Sequence, residues 1–455
     1  MVECSTRVSN ITLAVSIIGV PHTKWRVGLH HMSPGAKLST SRTDAFIRIL
    51  LTMINLGLKR IVKLLDSIGN PQLAGWSAVH VAGTNGKGSV CAYISSVINE
   101  ANIPNARFNS PHLVDYWDCI QINGKPIDRS AFVEIEKRVV SANRDHNIGA
   151  TSFEILTAIA YESFKRSNVE IAVVETGMGG RLDSTNVLHP DHVLATVITK
   201  IGLDHEGFLG GSLEEIASHK AGIIKSRVPC IVDGTNSQSV LDIVRKEANQ
   251  KNSLLVMAGE SSYFPLGLSP PHSPLLGSYQ ASNLACAWNA LHFVQRIYPQ
   301  KMTEKVIEKG IQNTQWPGRL QWAKIGKVPV LLDGAHNPQS AALLNDFVTE
   351  NIRTKQTNIL YVLAFTKGKD FSQIIDILVR PGDRVVCTQF GPVDGMPWIE
   401  PEDSHRIAEH VKLRGGTVTI ATDPAEAVNY VEPNTVICGS LYLVGDVLRN
   451  LRQNH

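Results

Sequence analysis

The sequence predicts an α/β protein of two domains, each a mostly parallel sheet covered by helices on both faces. Three observations lead there. The chain has 455 residues, too many for one ordinary hydrophobic core. Apolar strands and amphipathic helices alternate along it in two series, one on each side of Trp316-Pro317-Gly318. The turns that follow the strands are rich in glycine and polar side chains, as expected where sites gather at the carboxyl ends of parallel strands.

Residues 1–52 stand apart. They are rich in Ser, Thr and basic residues, with only Glu3 and Asp44 acidic. A mitochondrial transit peptide has such a composition. The preferred reading is a poorly ordered extension ahead of Met53 that holds no functional residue. From Ile54 to Ile68, apolar residues at 54, 58, 61, 62, 65 and 68 give the spacing of an amphipathic helix. Strands are then predicted at 78–82, 171–175, 193–198 and 228–232, and helices at 88–101, 129–143, 152–166, 213–219, 238–250 and 281–297. This first domain spans 53–315. The second, 319–455, is predicted to hold strands at 328–332, 358–363, 384–388, 416–420 and 435–438. Its helices are expected at 339–350, 371–379, 403–411, 424–430 and 441–450.

Bulk properties exclude several functions. With 43% hydrophobic and 19% charged residues the chain is an ordinary globular protein. A net charge of +3 is too small to indicate nucleic acid or an anionic membrane as partner. The longest apolar run near the start, Ile11 to Val20, is half of the roughly twenty residues a membrane helix needs. Seven cysteines, at 4, 91, 119, 230, 286, 387 and 438, include no CxxC pair, so neither a disulfide framework nor a zinc site is indicated. A reducing, cytoplasmic location follows, with the mitochondrion as the alternative.

The most informative segment is VHVAGTNGKGS, Val79 to Ser89. An apolar strand runs into a glycine-rich turn that ends in Lys87, Gly88 and Ser89. Such a turn aims backbone N–H groups and a helix N-terminus at one point, which suits a nucleotide polyphosphate with Mg²⁺. The match to the general P-loop is imperfect. That pattern wants a glycine where Val81 stands, and Ser or Thr directly after the lysine, where Gly88 stands. A tight turn without a ligand is the competing reading.

Strand IAVVE ends in Glu175, and a buried carboxylate is costly unless paired or bound to metal; a capping role at the next turn is the alternative. The next strand leads to Lys200-Ile201-Gly202-Leu203-Asp204-His205, which offers His205 as a further metal ligand. Lys220 lies among apolar neighbours in SHKAGIIK. It either snorkels to water or loses its proton, since burial disfavours the charged form. A neutral amine there could take up carbon dioxide as a carbamate. Thr151-Ser152-Phe153-Glu154 reads as a capping box, sufficient as a structural role. Ser110-Pro111-His112 sits in a loop after a short strand, ARFN. In the second domain Arg319 follows the linker and could reach a phosphate across the domain cleft, and Asp333 ends strand VPVLL, where it could accept hydrogen bonds from a ribose.

Taken in order, HVAGTNGKGS, NSPHL, VVETGMGGRLDSTN, ITKIGLDHEGFLG, SHKAGIIK, WPGRLQ, LLDGAHNPQSA and GSLYLVGDV resemble dihydrofolate synthases and folylpolyglutamate synthases of the Mur ligase superfamily. The resemblance covers roughly residues 54–450. It implies a Mur-ligase-like P-loop ATPase domain followed by a smaller Rossmann-like domain. It also implies ATP-dependent joining of an acid to an amino acid. By this resemblance Gly86, Lys87, Gly88 and Ser89 would hold ATP phosphates, with Asn283, Arg319, Asp333 and His336 as further nucleotide-side residues. Ser89, Ser110, Glu175, His205 and a carbamylated Lys220 would bind Mg²⁺, two ions being expected, with K⁺ as an additional cofactor. Thr151, Ser152, Phe153 and Glu154, together with Leu182, Asp183 and Ser184, match segments that contact the pterin substrate. Lys87, Lys220 and His205 are the expected catalytic residues.

Asn85, Glu154 and SHKAG resemble the fungal dihydrofolate synthases and the bacterial enzymes. Eukaryotic enzymes that only add later glutamates resemble GTKGKGS, with Arg at the position of Glu154. The expected reaction is therefore ligation of L-glutamate to dihydropteroate by a monomer whose partners are small molecules only. Folylpolyglutamate synthase, or both activities together, is the alternative. Two other classes are weaker. A nucleotide switch would want a guanine-reading NKxD, and Thr366-Lys367-Gly368-Lys369-Asp370 is out of register. A mere folate-binding protein would not need Lys87, Glu175, His205 and Lys220.

Overall fold

The computed structural model describes residues 3–8, 11–18, 26–28, 56–259, 271–353 and 358–453. Residues 1–52 count as a unit by themselves. Its described strands, β1 (Glu3–Val8), β2 (Ile11–Ile18) and β3 (Arg26–Gly28), pair antiparallel in that order. The remainder of the expected extension, and Ile54 at the start of the first expected helix, lie outside the described residues. That helix runs Lys59–Ser67 and buries Ile61, Leu64 and Leu65.

The unit from Met53 onward holds two sheets. The first contains β4 (Ser77–Ala82), β5 (Asn105–Phe108), β6 (Ile120–Ile122), β7 (Lys125–Pro126), β8 (Ile171–Glu175), β9 (Val193–Ile198), β10 (Cys230–Asp233) and β11 (Leu255–Ala258). Among the described residues their order is β11-β10-β9-β4-β8-β5-β6-β7. All are parallel except the β5/β6 and β6/β7 pairs. Side chains alternate across β4. Val79 and Val81 pack with helices Lys87–Glu100, Gln280–Gln295 and Glu304–Gln312. Ala78 faces helices Arg129–Asp145 and Ser152–Arg166 on the other side.

The second sheet contains β12 (Gln321–Ile325), β13 (Val328–Leu332), β14 (Leu360–Leu363), β15 (Arg384–Cys387), β16 (Thr417–Ile420) and β17 (Thr435–Cys438), in the order β12-β13-β17-β14-β15-β16. Only β12 runs antiparallel. Helices Pro338–Asn351, Phe371–Leu378 and Ser404–Leu413 cover one face, and Leu441–Gln453 covers the other.

Most expected elements are present within two or three residues of their predicted bounds. The strand expected at 228–232 begins at Cys230, because Pro229 cannot donate to a ladder. The helix expected at 424–430 is α-helical only over Pro424–Ala427 and continues as a 3₁₀ turn. Several elements escaped the sequence reading. The β6/β7 hairpin turns on Asn123 and Gly124, both at positive φ, the Asn-Gly signature of a tight hairpin. Helix Glu304–Gln312 buries Ile307 and Ile311 and packs so closely on helix Lys87–Glu100 that only glycine fits at 310. A Cβ there would lie 2.5 Å from Val97 Cα.

Gly310→Ala should therefore destabilise the fold by about 1–3 kcal/mol, the usual range for overpacking. Gly211→Ala, with nothing near its added Cβ, should be close to neutral. Denaturant midpoints of the two variants check this, and equal midpoints would contradict the packing.

Candidate active site

The turn after β4 is gripped from three sides. A side chain at Gly83 would overlap Thr199 Oγ1, one at Gly86 would overlap Asn283 Oδ1, and one at Gly88 would overlap the Trp316 ring. Gly86 has φ +92, which favours glycine. It caps helix Lys87–Glu100 without any side-chain hydrogen bond, so the first-turn N–H groups stay free for an anion. The turn is also pinned from outside. Thr84 and Asn85 donate their N–H groups to Lys200 O, at 2.9 and 3.1 Å. Thr199 Oγ1 donates to Asn85 O at 2.8 Å.

Register then brings in the charges. Val81 pairs with Glu175 across β4/β8, so the carboxylate ends its strand beside the turn. Glu175 Oε1 lies 3.6 Å from Lys87 Nζ, and Oε2 accepts from Asn109 Nδ2 at 2.6 Å. Lys87 Nζ also donates to Thr84 O at 3.2 Å. Lys220 is buried and donates to Gly83 O at 2.6 Å. Burial, with Lys87 adding to it, brings its ammonium down to about 7. His205 stands in the left-handed region with φ +55. Burial pulls its imidazole down to about 4, with Lys369, Lys87 and Lys220 adding and Asp204 opposing. Burial alone would raise the Asp204 carboxyl, but His205 and Lys369 together outweigh it and hold the carboxyl low.

Gly88, Ser110, Glu175, Trp316 and Arg319 line one cleft. Ser89, one residue on, is buried and accepts from Gln280 Nε2 at 3.3 Å. Asn283 Nδ2 donates to Gln280 Oε1 at 3.0 Å, so Asn283 and Gln280 together buttress the turn from helix Gln280–Gln295. In the second lobe Asp333 is buried, which raises its carboxyl while Arg319 opposes. Its oxygens accept from Leu320 N and Ala335 N, both at 2.8 Å. His336 Nδ1 meets Gly334 O at 2.9 Å, and burial lowers its imidazole. Arg319 Nη1 donates to Gly318 O at 3.0 Å.

The expected pterin-side residues lie at the start of helix Ser152–Arg166 and in the loop after β8. The Thr151/Glu154 capping box is present in both directions. Glu154 is buried; its Oε2 accepts from Thr151 N at 2.7 Å and from Arg60 Nε at 2.9 Å, while Oε1 has no hydrogen-bond partner among the described residues. Phe153 lies against Gly177, where a side chain would overlap its ring, and stacks on Phe108 at 6.0 Å between centroids. Ser184 Oγ meets Thr157 Oγ1 at 2.6 Å, tying the loop after β8 to helix Ser152–Arg166. Ser152 opens that helix. Asp183 turns inward and accepts from Met178 N and Thr185 N, whereas Leu182 is exposed.

The sequence reading missed several partners. Asn109 lay inside the quoted NSPHL motif and Gln280 one turn before Asn283. Lys369, in a segment where the sequence shows only an out-of-register guanine motif, donates to Asp204 Oδ1 at 2.8 Å across the lobes. Arg107 is buried, donates to Ser95 Oγ at 3.1 Å and lies 4.8 Å from the Trp316 ring centroid. No local signal marks that pair. Among the described residues no group of three His, Cys, Asp or Glu side chains forms a metal cage. The hydroxyl and carboxylate oxygens of Ser89, Ser110 and Glu175 suit a Mg²⁺ that takes its other ligands from phosphate and water.

Comparison with known proteins accords with this geometry. Residues 81–291 match the Mur ligase middle domain and residues 319–450 the dihydrofolate synthetase C-terminal domain. The chain is 38% identical to a probable dihydrofolate synthetase of Schizosaccharomyces pombe, over 88% of this chain and 99% of that one. It is 36% identical to the dihydrofolate synthetase of Saccharomyces cerevisiae, over 87% and 98%. Its fold matches Mycobacterium tuberculosis folylpolyglutamate synthase complexed with ADP and AMPPCP, with a TM-score of 0.73 at 26% identity, over 90% and 98% of the two chains. With a lysine-bearing glycine turn, a carboxylate beside it and an arginine facing both from a second lobe, this chain belongs to the dihydrofolate synthetase family of the Mur ligases.

Proposed function

We propose that this chain ligates L-glutamate to 7,8-dihydropteroate, using ATP and an acyl phosphate intermediate, to give 7,8-dihydrofolate, ADP and phosphate. The observation that carries the reading is the cleft in which Gly88, Ser110 and Glu175 of one lobe meet Arg319 of the other, with Lys87 3.6 Å from Glu175. A carboxylate is a poor electrophile with a poor leaving group. Phosphorylation by ATP gives the dihydropteroate carboxylate a good one; the glutamate amine then attacks the acyl carbon and phosphate departs with the C–O bond pair. Phosphoryl transfer needs alignment and charge neutralisation above all, and Lys87 and Arg319 are the cations set to supply both.

Ser89, Ser110, Glu175, His205 and carbamylated Lys220 are the residues that would hold Mg²⁺, two ions in all, which neutralises phosphate charge when bound. The lysine is suited to the modification: its ammonium, at about 7, leaves a substantial neutral amine near neutral pH. That amine adds to carbon dioxide, forming a C–N bond and releasing one proton. Thr151, Ser152, Phe153, Glu154, Leu182, Asp183 and Ser184 are the residues that would lie on the pterin side. Among the described residues no helix is long and apolar enough to cross a membrane. Cys91, Cys119, Cys230, Cys286, Cys387 and Cys438 are free and buried, which suits the cytoplasm.

The defining assay supplies ATP, Mg²⁺ and glutamate and compares dihydropteroate with tetrahydrofolate as acceptor. Amide formation on dihydropteroate is expected; formation on tetrahydrofolate alone would make the chain a polyglutamylating enzyme. Lys87→Ala should lower kcat by about 100-fold or more, by analogy with lost electrostatic donors; near-normal turnover would remove Lys87 from the mechanism. Protonated Lys220 cannot form a carbamate, so activity should fall as pH drops through about 7. Added bicarbonate should restore part of it in wild type but none in Lys220→Arg. A bicarbonate-independent acid limb would exclude the carbamate.

A further inference from the structure

The phosphate-binding turn is touched by the second lobe at one of its own side chains. Asn85 Nδ2 donates to Gln339 Oε1 at 3.0 Å, and Asn85 Oδ1 accepts from Asn337 Nδ2 at 3.4 Å. Both ends of one amide are thus engaged by residues some 250 positions away. The partners are firmly held. Asn337 caps helix Pro338–Asn351 and accepts from Ser340 N at 2.9 Å. Gln339 lies against Gly202, where any side chain would overlap its amide. Gly202 itself exchanges two hydrogen bonds of 3.0 Å with Thr84 Oγ1. Turn 83–86 and loop 200–202 therefore form one platform, and the start of a second-lobe helix rests on it.

We infer that Asn85, Asn337 and Gln339 form a clasp that sets the register between the two lobes, with Gln339 as a positioning residue for the nucleotide. The segment that carries Gln339 also carries Asp333 and His336, so whatever fixes Gln339 on the turn fixes those residues relative to Lys87. Neutral amides suit the task. They add no charge beside a polyphosphate, and they can separate and re-form without desolvating an ion. A lysine at position 85 could donate to Gln339 but could not accept from Asn337. The nucleotide part of this inference rests on the function proposed above; the clasp itself does not.

Two measurements on the full chain separate these. Without nucleotide, Gln339→Ala should speed amide hydrogen exchange at Thr84 and Asn85, whose N–H groups are bonded to Lys200 O, as well as around 336–340. Exchange altered only near position 339 would overturn the clasp, and this outcome stands whatever reaction the protein performs. In steady-state ligation Gln339→Ala should raise the KM for ATP about three- to tenfold, a range typical of one lost neutral hydrogen bond, with little change in kcat. It should also raise the phosphate released per amide formed above that of wild type. Asn85→Ala combined with Gln339→Ala should be no worse in KM than Asn85→Ala alone. Multiplying effects, or an unchanged KM and coupling ratio in Gln339→Ala, would mean that the contact does no positioning. Gln339 is exposed on a helix, and Gln339→Met, which keeps the bulk and removes the acceptor, should repeat the alanine result.

Discussion

The first lobe is organised around one buried carboxylate. Glu175 ends β8 in register with Val81, the last position but one of β4, and its two oxygens are divided between Lys87 and Asn109. An ionised carboxylate in such a place is strongly disfavoured unless paired and hydrogen-bonded. A one-residue slip of β8 would turn it to the other face of the sheet and leave Lys87 without its counter-charge. Charges of both signs surround it, with Asp183 and Asp204 near Lys220 and Asp118 near Arg107. Lys87, Lys220 and Arg107 all sense its charge, and Lys220 lies buried against the Gly83 carbonyl.

The departure of the turn from the general P-loop has a local physical reason. Where that pattern places Ser or Thr directly after lysine, Gly88 stands, because the Trp316 ring occupies the space a side chain would need. Trp316 belongs to the linker between the lobes and is fixed by the buried Arg107 guanidinium 4.8 Å from its centroid. The hydroxyl is displaced by one residue to Ser89. The segment joining the two sheets is thus packed directly on the glycine turn at Gly88.

What was legible in the sequence follows from the range of the interactions involved. Parallel strands buried on both faces announce themselves as apolar runs, and β8, β9, β13 and β17 lie at their expected positions. The site residues were legible as types at strand ends. Their partners were not, because Asn85–Gln339, Arg107–Trp316 and Asp204–Lys369 join positions more than 160 residues apart and leave no periodicity in the chain. Edge elements were also hard to read. β12 alternates between half-buried and exposed positions, with Trp322 turned to solvent, so it lacks the apolar run by which central strands are recognised. Residue type was informative even where role was not: the Thr151/Glu154 pair was read as a capping box, and a capping box is present.

That pair also anchors the start of its helix. Glu154 spends one oxygen on Thr151 N and Arg60 Nε and keeps the other buried without a hydrogen-bond partner among the described residues. Replacing it by arginine would disturb the helix start. Arginine accepts no hydrogen bond, so the reciprocal half of the cap would be lost, and its charge would stand beside that of Arg60. Such a change requires Arg60 or the start of helix Ser152–Arg166 to change with it. Exchanging Glu154 alone would therefore cost stability at the start of helix Ser152–Arg166.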